Sequence, residues 1–129
     1  MPIHVVRLGT PRSPDEGLRI GTVRRPPRGV PKERFAEDDW YDVWLPELAP
    51  SADLVKQAMA SESDADWCAF VRKYRREMSA PPAARLLELL AALSHQTNLA
   101  VGCYCEDEAR CHRSELRTLL EEAGGSVSP

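Results

Sequence analysis

Val101-Gly102-Cys103-Tyr104-Cys105-Glu106-Asp107-Glu108-Ala109-Arg110-Cys111-His112-Arg113 (VGCYCEDEARCHR) holds three of the four cysteines in the chain and one of its three histidines. Its reading decides the fold. Leu99 to Tyr104 is short, apolar and partly β-branched, as a strand requires. Glu106 to Arg110 is polar and reads as a loop. From His112 to Ala123 the apolar residues Leu116, Leu119, Leu120 and Ala123 fall on one helical face, and Gly124-Gly125 ends the helix. A strand that feeds a helix through a short loop is the repeating unit of α/β folds.

Working outward, Ile3 to Leu8 and Leu18 to Val23 read as two further strands, joined by a loop rich in proline and glycine. The stretch RRPPRGVPKER, Arg24 to Arg34, is extended because Pro26, Pro27 and Pro31 exclude a helix interior. Trp40, Val43, Trp44 and Leu45 suggest a short helix ending before Pro46. Ser51 caps a brief helix containing Leu54, Val55 and Met59. Asp64 opens a longer one with Trp67, Phe70, Val71, Tyr74 and Met78 at helical spacing, and Cys68 is read as a packed residue of it. Pro81-Pro82 begins a Leu-rich helix, Leu86 to Leu93, expected to be well buried. The long helical excursion before the last strand suits a parallel crossover. The expected fold is therefore a small single-domain α/β sandwich, with a short, mostly parallel sheet flanked by helices. Residues 1–124 form the domain and 125–129 a disordered tail.

At 129 residues the chain suits one domain with a sizeable core. No apolar run approaches the ~20 residues of a membrane span, and no secretory signal is visible, so a cytoplasmic location with reduced thiols is expected. The net charge of −3 excludes a protein that coats nucleic acid. Charge is uneven, however: Arg24, Arg25, Arg28, Lys32 and Arg34 face one acid, Glu33, and four acids follow between Glu37 and Asp42.

If Leu99 to Cys105 is extended, Leu99, Val101, Cys103 and Cys105 share one face. Cys105 then sits at the strand's C-terminal end and Cys111 at the start of a helix. Ligands of open α/β sheets gather at that edge. The helix N-terminus, Arg113 and a protonated His112 would favour a bound anion and a thiolate, whereas Glu106, Asp107 and Glu108 would oppose one. The first reading is a reactive thiol, Cys105 or Cys111, with His112 as acid/base. A zinc or iron site on Cys103, Cys105, Cys111 and His112 is an alternative, although adjacent Cys111 and His112 look awkward as ligands of one ion. A redox pair of Cys105 and Cys111 and simple packing are the others. Cys111 and Arg117 have the Cys-x5-Arg spacing of a phosphatase loop, but the residues between are bulky or charged. Parallel strands would bring Arg24 and Arg28 to the same edge, where arginine forks suit phosphate or carboxylate. Surface pairing with the acids of Glu37 to Asp42 is the competing role for those arginines.

The runs PRGVPKE (Pro27 to Glu33), LAPSADL (Leu48 to Leu54) and CYCEDEARCHRSELRTLL (Cys103 to Leu120) resemble the domain-of-unknown-function family numbered 488, including its short YeaO-like members. The resemblance spans about Arg19 to Gly124. It implies a small α/β domain with a site on Arg24, Pro27, Arg28, Gly29, Cys105, Glu106, Cys111, His112 and Arg113. YeaO-like members read Asp where this chain has Val23 and Trp where it has Pro26. Residues and resemblance together imply a small anionic ligand, phosphate or nucleotide, held by Arg24, Arg28, Arg113 and Glu106 beside a thiol. A non-catalytic nucleotide or nucleic-acid binding module and a metal-stabilised interaction domain are the alternatives. No cofactor is assumed, with zinc or iron as the alternative, and no membrane partner is expected.

Overall fold

The computed structural model describes residues 2–105, 108 and 111–129. Four strands, β1 (Ile3–Arg7), β2 (Leu18–Gly21), β3 (Val43–Trp44) and β4 (Leu99–Cys103), form one sheet in the order β1-β4-β2-β3, and every neighbouring pair is parallel. Four helices complete the fold: α1 (Ala52–Met59), α2 (Asp64–Met78), α3 (Ala83–Leu93) and α4 (His112–Glu122). Register pairs Leu99 with both Ile3 and Leu18, so the C-terminal ends of the three longest strands lie level.

The pleat sends alternate residues to different partners. Ile3, Ile20, Leu99 and Val101 join Phe70, Tyr74, Leu87, Leu90, Leu116 and Leu120 in the main apolar core. Residues of opposite parity meet loops. A Cβ on Gly21 would come within 2.4 Å of the Tyr41 ring, and one on Gly102 within 2.8 Å of Leu8. Arg19, fully buried, donates to both carboxylate oxygens of Glu16 at 2.6 and 2.8 Å, and to the carbonyls of Thr10 and Asp39 at 2.8 and 2.7 Å.

Helix starts follow side-chain chemistry. Ser51 Oγ accepts from the Leu54 amide, as expected. Ser63 rather than Asp64 caps α2, accepting from the Asp66 amide, and leaves Asp64 in the first turn. Arg75 ties α2 to α4 through Glu115 and Glu122.

Some expectations are corrected. Trp40 to Leu45 is not a helix. The Asp42 amide bonds to the Arg19 carbonyl and the Leu45 amide to Gly21, which draws Val43 and Trp44 into the sheet as β3. Cys68 is exposed on α2 rather than packed. Leu89 and Leu93 face solvent at 53% and 36%, so α3 buries one face only. The segment 125–129, read as a loose tail, returns to β1. The Ile3 amide donates to Ser126 O at 2.7 Å and the Ser128 amide to Ile3 O at 2.8 Å, capping an edge strand whose backbone groups would otherwise be open.

Candidate functional site

β4 ends at Cys103, and the chain returns to that point with Cys111 as the residue capping α4. The two buried thiols lie 2.7 Å apart. Cys111 has extended backbone angles whereas His112 is already helical, so the two neighbouring side chains converge. His112 Nδ1 lies 3.7 Å from Cys111 Sγ. Its Nε2 is 2.7 Å from the Thr22 carbonyl just beyond β2. A carbonyl only accepts, so Nε2 carries the proton and Nδ1 presents its lone pair to the thiols. Tyr74 packs edge-on against the imidazole at 5.6 Å. Burial pushes the His112 pKa down to about 4, against the opposing pull of the Thr22 bond. The imidazole is therefore neutral at pH 7, not the imidazolium that the sequence reading invoked.

Cys105 is exposed and lines a cavity with Cys111 and His112. Hydrogen bonds from Cys103 and Cys111, then the charge of Arg113, hold its thiol well below the usual range. The bonds to Cys105 and Cys111, and then burial, push Cys103 up. For Cys111, the bond from Cys103 lowers the value, but the bond to Cys105 and burial outweigh it. Arg113 is buried, donating through Nη2 to the Cys105 carbonyl at 2.6 Å, while its Nε has no partner among the described residues. Cys105, Cys111 and His112 open onto a cavity of about 200 Å³ walled by Met59, Trp67 and Phe70.

The donor atoms of Cys103, Cys111 and His112 all lie within 4.8 Å of one another. They could hold a zinc or iron ion; Cys105, expected from the sequence as a fourth ligand, is not one of that group. The difficulty expected of adjacent Cys111 and His112 is removed by the change of backbone angle between them.

A second, larger cavity of about 730 Å³ lies at the same sheet edge. Arg28 lines it, whereas Cys105, Cys111 and His112 line the smaller one, so the single pocket of arginines and thiol expected from the sequence is divided between two cavities with no lining residue in common. Arg24 lines neither: its guanidinium donates to the carbonyls of Pro50 and Ala49 at 3.0 and 3.2 Å, and so fastens the chain ahead of α1. Arg25, Arg7, Trp40 and Tyr104 line the larger cavity instead. Sequence reading had missed these four as site residues. The signal for Arg7 was its place at the end of a strand parallel to β4, and for Tyr104 its parity opposite to Cys103. Arg12 and Arg34 rather than Arg24 and Arg28 pair with the acids of Glu37 to Asp42. Arg117 bonds Glu108 and the Ser128 carbonyl, so the Cys-x5-Arg spacing forms no phosphate loop. Glu106 lies outside the described residues.

The family model for the active DUF488-N3 subclade matches residues 3–124, from β1 through α4, and so takes in both cavities. The chain belongs to the DUF488-N3a family. No curated protein and no solved structure matches it. Among the described residues, no helix is long and apolar enough to cross a membrane.

Proposed function

We propose that this DUF488-N3a chain is a thiol-dependent enzyme acting on a phosphorylated small molecule or nucleotide. One observation carries the reading: the exposed Cys105 lines a cavity together with the buried Cys111 thiol and His112. A thiolate is the nucleophilic form of cysteine, and donors that favour it on an accessible sulfur are what nucleophilic catalysis needs. Cys105 is the nucleophile, Cys103 and Cys111 favour its thiolate, and His112 in the same cavity is the base. The description of the matched subclade as active supports an enzyme over a passive binding module. Four cysteines free of disulfides suit a reducing cytoplasm.

Alkylation with iodoacetamide between pH 5 and 8, read residue by residue by mass spectrometry, tests this. Cys105 should react first and already at the acid end, with Cys103 and Cys111 last. Exposed Cys68 on α2 is the internal reference. Equal rates at Cys105 and Cys68 would remove the basis of the reading.

The convergence of Cys103, Cys111 and His112 donor atoms favours a second reading, a resident zinc or iron ion. The carbonyl bond from Nε2 to Thr22 is the kind of outer contact that orients a metal-bound histidine. Elemental mass spectrometry of untagged protein separates the two. One metal per chain, with alkylation blocked until a chelator is added, selects the ion. Metal far below stoichiometry selects the free thiols.

A further inference from the structure

The larger cavity has a composition that the thiol site does not explain. Three arginines, Arg7, Arg25 and Arg28, line it together with Trp40 and Tyr104, and no carboxylate lines it among the described residues. The chain as a whole is acidic, at −3. Arg25 and Arg28 are exposed, and their guanidinium groups have no hydrogen bond or ion pair among the described residues. Every neighbouring arginine is engaged: Arg24 with Pro50 and Ala49, Arg12 with Asp39 and Asp42, Arg34 with Asp38.

The cavity is also held in shape. The Tyr104 hydroxyl donates to the Arg25 carbonyl at 2.8 Å, pinning the arginine loop to the end of β4, and Pro26 and Pro27 stiffen that loop. Tyr104 meets Trp40 edge to face at 5.8 Å. Trp40 in turn lies against Gly9, where a Cβ would come within 2.8 Å of the ring and where φ is +87°. A volume of about 730 Å³ suits a small organic ligand rather than a bare ion.

We propose that this cleft binds a nucleoside monophosphate, with its phosphate on Arg25 and Arg28 and its base on the Trp40–Tyr104 wall. Arginine forks match phosphate oxygens, and aromatic faces take any nucleobase. A mononucleotide fits better than a nucleic acid strand, because a strand needs a continued track of cations and the acids of Glu37 to Asp42 follow Arg34 directly in the chain. The proposal deepens the enzyme reading by naming its ligand class, and it rests on that reading only for the ligand's being a substrate.

Calorimetric titration of the full chain with adenosine monophosphate, adenosine, inorganic phosphate and a short single-stranded oligonucleotide tests it. The monophosphate should bind, with adenosine and phosphate each at least about tenfold weaker. Arg25→Ala and Arg28→Ala should each weaken it by about tenfold, the loss expected of one charge-assisted contact. Both side chains are exposed, so melting temperatures should stay unchanged. Trp40→Leu should weaken the monophosphate at least about fivefold and leave phosphate unaffected. Absence of nucleotide binding at millimolar concentration, or wild-type affinity in the Arg25→Ala/Arg28→Ala protein, overturns the proposal. So does phosphate binding as tightly as the monophosphate, or an oligonucleotide binding more tightly. Alkylation of Cys105 in the wild-type chain, run beside the titration, separates the two ideas. Monophosphate binding with ordinary Cys105 reactivity removes the thiol reading alone, and a reactive Cys105 without binding removes this one alone.

Discussion

The two faces of the sheet differ in that the loop side buries an ion pair. Toward the helices, Ile20, Leu99 and Val101 meet Phe70, Tyr74, Leu116 and Leu120, and apolar contact does the work. Toward the loops, a smaller apolar group that includes Leu8, Val23 and Tyr41 is joined by a buried charge, Arg19, whose three guanidinium nitrogens find Glu16 and two backbone carbonyls. The difference teaches what a loop needs in order to cover a sheet. A helix satisfies its own backbone and offers only side chains to the core. A loop brings carbonyls with no ladder partner, and those must be met by a donor or left unpaired at a cost. Arg19 supplies that donor, and Glu16 balances its charge.

The largest effect should come from breaking that arrangement. Arg19→Met leaves the Glu16 carboxylate buried without its partner and removes the donor to the Thr10 carbonyl, while the Asp39 carbonyl keeps the Gly9 amide. Loss of one member of a buried pair costs roughly 3–5 kcal/mol. Urea denaturation should show that loss, and adding Glu16→Gln should recover part of it. If the single variant unfolds like wild type, the loop face is not held by Arg19.

Leu116→Ala probes the other face. Leu116 is fully buried, and its truncation should cost roughly 2–5 kcal/mol through lost contact and residual cavity. No second substitution in a charged residue should rescue it. Rescue by a nearby larger apolar side chain, and by nothing polar, would sharpen the contrast between the faces.

These faces were not equally legible in the sequence. The helical side could be read because its signals are periodic: β1, β2, β4 and α4 follow alternation or helical spacing residue by residue. Arg19 could not be read, because hydrophobicity points the wrong way. Leu18 is 49% exposed while the charged residue after it is fully buried, an inversion created by loops far along the chain. β3 was missed for a similar reason, since two residues become a strand only when Arg19 and Gly21 offer them carbonyls. The meeting of Cys103, Cys111 and His112 was legible because a strand that feeds a helix returns the chain to the strand's end, whereas the place of Cys105 relative to them was not. The arginines were legible as a group and not one by one. Which of Arg24, Arg25 and Arg28 faces a cavity depends on how the chain turns after Thr22, and two prolines in sequence do not specify that turn.

A smaller effect separates the faces by pH. Asp42 joins Arg12 and the Arg19 amide on the loop side. Burial raises its pKa, but the hydrogen bonds from Arg12 and the Arg19 amide outweigh burial, and the folded value lies below the ordinary one. A carboxyl whose pKa is lower when folded stabilises the fold above its unfolded value and loses that contribution as pH falls through the folded one. Melting temperature should therefore fall between pH 6 and pH 3 less steeply in Asp42→Asn than in wild type, with the variant about 1 kcal/mol less stable at pH 7. Leu116→Ala should keep the wild-type pH slope. An Asp42→Asn slope equal to that of wild type would mean that acid acts elsewhere.

The smallest effect tests whether burial, and not ion pairing as such, is what matters on the loop side. Arg34 and Asp38 form an ion pair at 2.9 Å, four residues apart in the same segment that carries Asp39. The pair has the same donor and acceptor types as Arg19 and Glu16, and nearly the same spacing. Its side chains are 53% and 33% exposed, against 0% and 4% for the buried pair. Water solvates either exposed partner when the other is removed, and salt screens their attraction. Arg34→Ala should accordingly leave the urea midpoint unchanged within error, in low salt and in high. A loss in low salt that disappears in high salt would show that the acids from Glu37 to Asp42 repel one another enough to need Arg34. The loop face would then be held by a network of charge, and not by one buried arginine.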